Sequence, residues 1–195
     1  MKIGITLTSS MNVGQEYIDL TNNLLIQIAT LNHGVVYGGT DYGMMAELAK
    51  AYKSAGGNDL TGVMAKDLMK VTKGYKAFDG LDKSFLMDTM EERKRKIIDL
   101  SDGFIVLPGG YGTFEEIGTI IGGKANKLFD KPIVLYNHNG FYNTFIEFFK
   151  ENFVKQFTKV PLESIVFISD SINDSLEYLE THSKGQDIVP DKFVS

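Results

Sequence analysis

The stretch that most constrains this chain is Asp102-Gly103-Phe104-Ile105-Val106-Leu107-Pro108-Gly109-Gly110-Tyr111-Gly112-Thr113-Phe114-Glu115-Glu116. Its first half is a short apolar run without polar alternation, the pattern of a strand buried on both faces of a parallel sheet. A parallel strand needs a crossover connection, usually a helix. Pro108 ends the run, and Gly109, Gly110 and Gly112 remove three side chains where the chain turns, leaving its backbone open to close approach. A helix is expected to begin at Thr113, within two residues. The order strand, glycine loop, helix N-terminus binds phosphate, because free amides point outward and the helix dipole adds partial positive charge.

Two carboxylates, Glu115 and Glu116, follow at once. A phosphate site needs neither, whereas a site that handles a sugar or a developing cation has use for one. Thr113-x-x-Glu116 also reads as a capping box, with Glu116 bonding back to the Thr113 amide, and acidic residues suit any first helical turn. A structural and a chemical role fit this stretch equally well. The glycines spell neither G-x-G-x-x-G nor G-x-x-x-x-G-K-[ST], so neither a dinucleotide fingerprint nor a Walker loop is supported.

The rest of the chain repeats the same unit. Residues 2–7 read as a strand ending in Thr8-Ser9-Ser10. Tyr17, Leu20, Leu24, Ile28 and Leu31 then share one face of a helix over 14–31, with Asn12 and Gln15 as its cap. Strand Val35-Val36-Tyr37 leads into a second glycine turn, Gly38-Gly39-Thr40, and a helix over about 44–55. A weaker strand covers 60–64. Residues 65–82, rich in lysine and carrying Gly74 and Gly80, are expected as a loop or broken helix over the site. A helix is expected from about 85 to 100, its charges explained mostly as a solvated face with pairs Glu91–Arg95 and Glu92–Lys96. Arg93 and Lys94 fall near its buried edge. After the central loop and its helix to about 126 come a strand at 131–136, an aromatic helix with Phe141, Phe145, Phe148, Phe149 and Phe153, a strand at 165–168, and a helix capped by Ser171 and running to about 181.

This alternation predicts one α/β domain over residues 1–181, a Rossmann-like open parallel sheet with helices on both faces, followed by a loose tail at 182–195. Ligands in such sheets sit beyond the strand C-termini where the strand order switches. Three small-residue loops, at 8–10, 38–40 and 109–113, are expected to converge there on a nucleotide-like ligand. Composition narrows the classes further. A net charge of −5 among 195 residues argues against nonspecific nucleic-acid binding. Without cysteine there is neither a disulfide nor a thiolate metal site. His33, His138 and His182 lack ligand spacing, so no metal is expected. No run is long and apolar enough for a membrane span or a signal peptide, so a cytoplasmic location is expected.

Pro108-Gly109-Gly110-Tyr111-Gly112-Thr113-Phe114-Glu115-Glu116 resembles the P-G-G-x-G-T-x-x-E signature of the Lonely Guy (LOG) family, long described as possible lysine decarboxylases. Met90-Glu91-Glu92-Arg93-Lys94 resembles that family's M-x-x-R-K element, and residues 36–45 resemble V-Y-G-G-G-x-x-G-L-M-G. Asp130-Lys131-Pro132 and Asn139-Gly140-Phe141-Tyr142 match a later strand and turn. The likeness covers roughly residues 1–180. It implies a Rossmann-like homodimer or larger assembly and phosphoribohydrolase activity, the cleavage of a nucleoside 5′-monophosphate such as AMP or a cytokinin riboside monophosphate to free base and ribose 5-phosphate. It implies Arg93 and Glu116 as the catalytic pair. It places substrate on Lys94, Gly109, Gly110, Tyr111, Gly112, Thr113 and Glu115, with Ser9, Ser10, Gly38 and Gly39 in the neighbouring loops. No cofactor is implied, and no Schiff-base lysine motif for pyridoxal phosphate is present.

The sequence departs from that pattern on one side. Thr40 replaces the third glycine of Y-G-G-G, Ala46 replaces the glycine after L-M, and Gly122-Gly123-Lys124-Ala125 stands where T-W-A-Q is usual. The family's glutamate in the loop before R-K has no counterpart, since no Glu lies between Glu47 and Glu91. The nucleotide core is kept and the base-recognition side is changed. Two other readings remain: a non-catalytic nucleotide or molybdenum-cofactor carrier of the same fold, and an unrelated small Rossmann-like enzyme acting on a phosphorylated metabolite.

In the hydrolase reading, cleavage passes through an oxocarbenium-like state that a carboxylate can stabilise, or the carboxylate orients water. Arg93 stays protonated at neutral pH and so cannot act as acid. Its work is to hold Glu116 or the phosphate through paired bonds.

Overall fold

The computed structural model describes residues 1–182. Within them the chain alternates strand and helix: β1 (Lys2–Thr6), α1 (Gln15–Thr30), β2 (Gly34–Tyr37), α2 (Gly43–Ser54), β3 (Leu60–Ala65), α3 (Lys66–Val71), β4 (Lys83–Met87), α4 (Met90–Leu100), β5 (Gly103–Val106), α5 (Tyr111–Ala125), β6 (Ile133–Tyr136), α6 (Asn143–Val154), β7 (Phe167–Ser169) and α7 (Ile172–His182). The strands form one sheet in the order β4-β3-β2-β1-β5-β6-β7, every pair parallel. The order therefore reverses between β1 and β5, where Thr6 lies opposite Val106. A crevice opens at such a switch.

The two-residue period of the strands sorts the core onto two faces. Ile3, Ile5, Val35, Ile105 and Val134 pack with Leu24, Ile28, Leu48 and Leu179 from α1, α2 and α7. Phe104, Val106, Ile133 and Leu135 pack with Ile98, Ile117, Ile120 and Ile146 from α4, α5 and α6. Each fully buried aliphatic side chain contributes about 1.5–3 kcal/mol. The two layers together hold the C-terminal ends of β1 and β5 in a fixed frame.

The structure corrects the expected reading in three places. The helix expected from about residue 85 begins only at Met90, and Lys83–Met87 form β4, paired parallel with β3. As a half-exposed edge strand, β4 lacks the continuous apolar run that marks the inner strands. The start of α4 is fixed instead by a capping box, in which the Thr89 hydroxyl accepts from the Glu92 amide and the Glu92 carboxylate accepts from the Thr89 amide. Glu92 is thus not paired with Lys96, and Glu91 does not reach Arg95. Glu91 bonds Lys94, Arg95 approaches Asp99 at 3.4 Å, and Lys96 sits over the Phe85 ring. At α1 the cap is Gly14, without a side-chain bond, and Gln15 donates to Asp19 rather than pairing with Asn12. Ser171 does cap α7, accepting from the Asp174 amide. His182, expected to open a loose tail, instead closes α7, and the rest of that expected tail, residues 183–195, lies outside the described residues. Among the described residues no helix is long and apolar enough to cross a membrane.

Candidate functional site

A cavity of about 510 Å³ opens at the C-terminal edge of the sheet, over the β1/β5 switch. The loop after β1 contributes Leu7, Thr8 and Ser9, and the loop after β5 contributes residues 110–113. Met90 and Arg93 enter from α4, and Glu115 and Glu116 from α5. The opposite wall is α3 and the loop after it, with Leu68, Thr72, Lys73 and Tyr75. That loop is stitched to the turn after β2: the Phe78 amide donates to the Gly39 carbonyl and the Asp41 amide to the Lys76 carbonyl, both at 2.9 Å.

The glycine loop builds an amide-rich rim. Gly110 is the N-cap of α5, and the first helical bond runs from the Phe114 amide to the Gly110 carbonyl. The amides of Tyr111, Gly112 and Thr113 precede that ladder and have no carbonyl within the helix to bond. The helix thus starts within the two-residue window expected around Thr113. Gly109 is required from behind, because a Cβ there would collide with the Thr113 side chain. The buried Tyr142 hydroxyl donates to the Leu107 carbonyl at 2.8 Å and anchors the strand end before the loop. Burial pushes this phenol well above its ordinary pKa, so it remains a donor.

Since the helix begins two residues before Thr113, Thr113 is not its cap, and the expected capping box with Glu116 does not form. The Glu116 side chain turns instead toward α4. Its Oε1 accepts from Arg93 Nη1 at 3.0 Å, and its Oε2 accepts from the Thr6 hydroxyl. Arg93 is 4 % exposed and also donates through Nε to the Val63 carbonyl at 2.9 Å. Both groups are thus tied to the sheet, Glu116 to the end of β1 through Thr6 and Arg93 to β3 through Val63. Gly38 lets the guanidinium lie against the end of β2, where any Cβ would meet Arg93 Nη2. One residue along each helix, Lys94 bonds Glu91 at 2.5 Å and Glu115 at 2.9 Å. Those two carboxylates, Glu91 first, hold the Lys94 ammonium above its ordinary pKa.

Of the residues singled out from sequence, Ser9, Arg93, Gly110, Tyr111, Gly112, Thr113, Glu115 and Glu116 come together around this cavity. Gly38, Gly39, Gly109, Ser10 and Lys94 stand behind its lining. Gly39 packs against Gly62, the Ser10 hydroxyl accepts from the Asn12 amide, and Lys94 holds the outer side of α5. The sequence reading named Thr8 and Thr40 as members of converging loops, and did not single out Thr6, Leu68 or Tyr75. Thr6 and Thr8 carried a usable signal, as hydroxyls at the end of a predicted inner strand beside the switch.

Three comparisons with known proteins bear on this architecture. A family model described as "Possible lysine decarboxylase" matches residues 44–179. A cytokinin riboside 5′-monophosphate phosphoribohydrolase of Arabidopsis thaliana is 32% identical over 182 residues, covering 93% of this chain and 78% of that protein. A protein of Oryza sativa subsp. japonica named as a probable enzyme of the same activity is 30% identical over 194 residues, covering 98% and 75%. Among solved structures, the molybdenum cofactor carrier protein of Chlamydomonas reinhardtii superposes with a TM-score of 0.68 at 20% identity, covering 92% of this chain and 96% of that one. The molybdenum cofactor binding protein of Rippkaea orientalis gives 0.66 at 18%, covering 92% and 95%. These structural likenesses concern the fold, a Rossmann-like sheet, while the sequence match extends through the R-K and P-G-G-x-G-T-x-x-E segments that build the cavity. The chain belongs to the LOG family, the group that carries the possible-lysine-decarboxylase description.

Proposed function

We propose that the protein is a phosphoribohydrolase, cleaving the N-glycosidic bond of a nucleoside 5′-monophosphate such as AMP or a cytokinin riboside monophosphate. The observation that carries this reading is the Arg93–Glu116 pair at the cavity edge, set one turn into the helix whose first amides rim the same cavity. A phosphate on the amides of residues 110–113 would leave the sugar near Glu116. As the bond between C1′ and the base nitrogen lengthens, positive charge grows on the ribose, and the Glu116 carboxylate is placed to stabilise it. Water adds its oxygen to C1′ and its proton goes to the departing base, giving free base and ribose 5-phosphate. Arg93, always cationic, orients Glu116 and takes no part as acid.

Two further features support a polar ligand here. The hydroxyls of Thr40 and Thr113 border the cavity, are buried, and have no hydrogen-bond partner among the described residues. Buried hydroxyls are rarely left so in native proteins, and a bound polar group satisfies them. Lys94, next to the proposed catalytic arginine, does not favour decarboxylase chemistry through a Schiff base. A Schiff-base lysine needs a lowered pKa, whereas Lys94 is held charged by Glu91 and Glu115.

Release of free base from AMP by the purified protein, followed chromatographically, tests the proposal. Adenine appearing in step with ribose 5-phosphate is the expected result. Tight nucleotide binding without release would instead support a carrier of the same fold.

A further inference from the structure

We infer that Thr6 is a positioning residue that fixes the plane of the Glu116 carboxylate. This rests on the phosphoribohydrolase reading, in which Glu116 faces the ribose. A carboxylate held through one oxygen can still pivot about that contact. Arg93 reaches Oε1 only, and the Thr6 hydroxyl takes Oε2. With both oxygens engaged from different elements, rotation about the last side-chain bond is blocked.

Thr6 is well built for this task. It is the last residue of β1, registered opposite Val106 of β5, and its carbonyl accepts from the Leu107 amide at 2.9 Å. Its backbone is therefore fixed by the same strand pair that launches the glycine loop. Its β-branched side chain has few rotamers to choose among. It points to the face on which β5 places Phe104 and Val106, an apolar layer in which a hydroxyl needs a partner. Glu116 is that partner. Thr6 does not line the large cavity but borders a pocket of about 20 Å³ beneath Glu116. With its hydroxyl bonded to Glu116 and no place in the lining of the 510 Å³ cavity, it acts through Glu116. Misplacing a reacting group by about 1 Å can lower a rate about 100-fold.

The test compares Thr6→Val and Thr6→Ser in the full chain, with AMP as substrate. Thr6→Val removes the hydroxyl and keeps the shape, and it is expected to lower kcat by about 10- to 100-fold while KM moves less than about twofold, since the amide rim is untouched. Thr6→Ser keeps the hydroxyl and is expected to stay within about threefold of the parent kcat. A Thr6→Val protein with parental kcat, or a Thr6→Ser protein as impaired as Thr6→Val, overturns the inference. Should Thr6→Val not fold, Thr6→Ala removes the same hydroxyl and is read by the same criteria. A crystal structure of the variant supplies a readout independent of turnover. A rotated Glu116 carboxylate still bonded to Arg93 supports the positioning role, and an unmoved one overturns it. Failure of the parent protein to release base from AMP would instead count against the activity, and the carboxylate's orientation would still decide the role of Thr6.

Discussion

Arg93 of α4 and Glu116 of α5, on the wall built over the sheet, are bonded to strands β3 and β1. Leu68, Thr72 and Lys73, on the facing wall, hang from a six-residue helix with no buried residue and from the loop that follows. The first wall sits on two packed layers and its Arg93–Glu116 pair is largely desolvated. The second is held by two backbone bonds to residues 39–41 and by an exposed ion pair between Lys76 and Asp41 at 2.9 Å. A rigid, dry wall can preorganise charge, which is where large rate effects come from. A wall with little core can change its side chains at small cost in stability, and the family's glutamate that has no counterpart here belongs to that stretch before α4. On the proposed function, the difference assigns chemistry to the first wall and leaves selectivity to the second.

The strongest way to break that comparison is to remove charge from the rigid wall. Glu116→Gln keeps the shape and loses the carboxylate, so kcat for AMP should fall about 10²- to 10³-fold, or about 2.7–4 kcal/mol. Arg93→Ala should match it in kcat, and the double variant should be little worse than either, since groups acting as a unit are non-additive. Steady-state kinetics on the three proteins decide the matter. A Glu116→Gln protein with parental kcat would remove the catalytic role. Because Glu116 does not cap α5, that outcome would leave it only the task of neutralising buried Arg93.

How far the sequence could be read follows the same division. The strand, glycine loop and start of α5 were legible because the signals are contiguous: an apolar run, Pro108, three glycines, then helix-forming residues. The sheet class and helices on both faces followed from repetition of that unit. Arg93 and Lys94 were legible as the buried edge of α4, although Lys94, expected on the substrate, stands behind the cavity lining. Edge strand β4 was not, since exposure removes the apolar pattern by which inner strands are recognised. The expected capping box at Thr113 failed because Gly110 starts α5 first, and no local rule says which of two adjacent starts the glycine loop will adopt. The Thr6–Glu116 bond joins residues 110 apart and depends on the β1/β5 switch, which strand order alone reveals. The facing wall is polar and aperiodic, so only its general place over the site could be stated.

A smaller effect is expected on the facing wall. Lys73 borders the cavity without a buried stem, so an interaction with a bound nucleotide there is exposed to solvent and worth at most about 1 kcal/mol. Lys73→Ala should therefore raise KM up to about fivefold and leave kcat unchanged, the signature of lost uniform binding. Comparing AMP with nucleotides that bear other bases sharpens this point, because the change should vary with the base. A large fall in kcat would show that the facing wall takes part in the chemistry and would erase the contrast between the walls.

The smallest effect separates burial from mere membership of the rigid wall. Lys94 joins the same two helices as Arg93, one residue along, but its partners are wet: the Glu91 side chain is 81% exposed and that of Glu115 is 49% exposed. Arg93 and Glu116 stand at 4% and 17%. Removing one partner of a buried pair strands a charge and costs about 3–5 kcal/mol. Removing Lys94 leaves carboxylates that water can solvate, so Lys94→Met, which keeps the apolar stem, should cost no more than about 1 kcal/mol. The pH dependence has a definite sign. Glu91 and Glu115 raise the folded-state pKa of Lys94, so its stabilisation is complete below the unfolded value of about 10.4 and is lost as pH rises through the folded value. Urea unfolding should show a constant gap between parent and variant from about pH 6 to pH 9, closing only above about pH 10.4. Turnover of AMP should change less than about threefold, because Lys94 reaches the cavity only by way of Glu115. A loss of about 3 kcal/mol or more, the scale of a broken buried pair, would mean that position on the wall, and not desolvation, sets the strength of these pairs. A rise in KM of tenfold or more would mean that Lys94 itself meets the nucleotide.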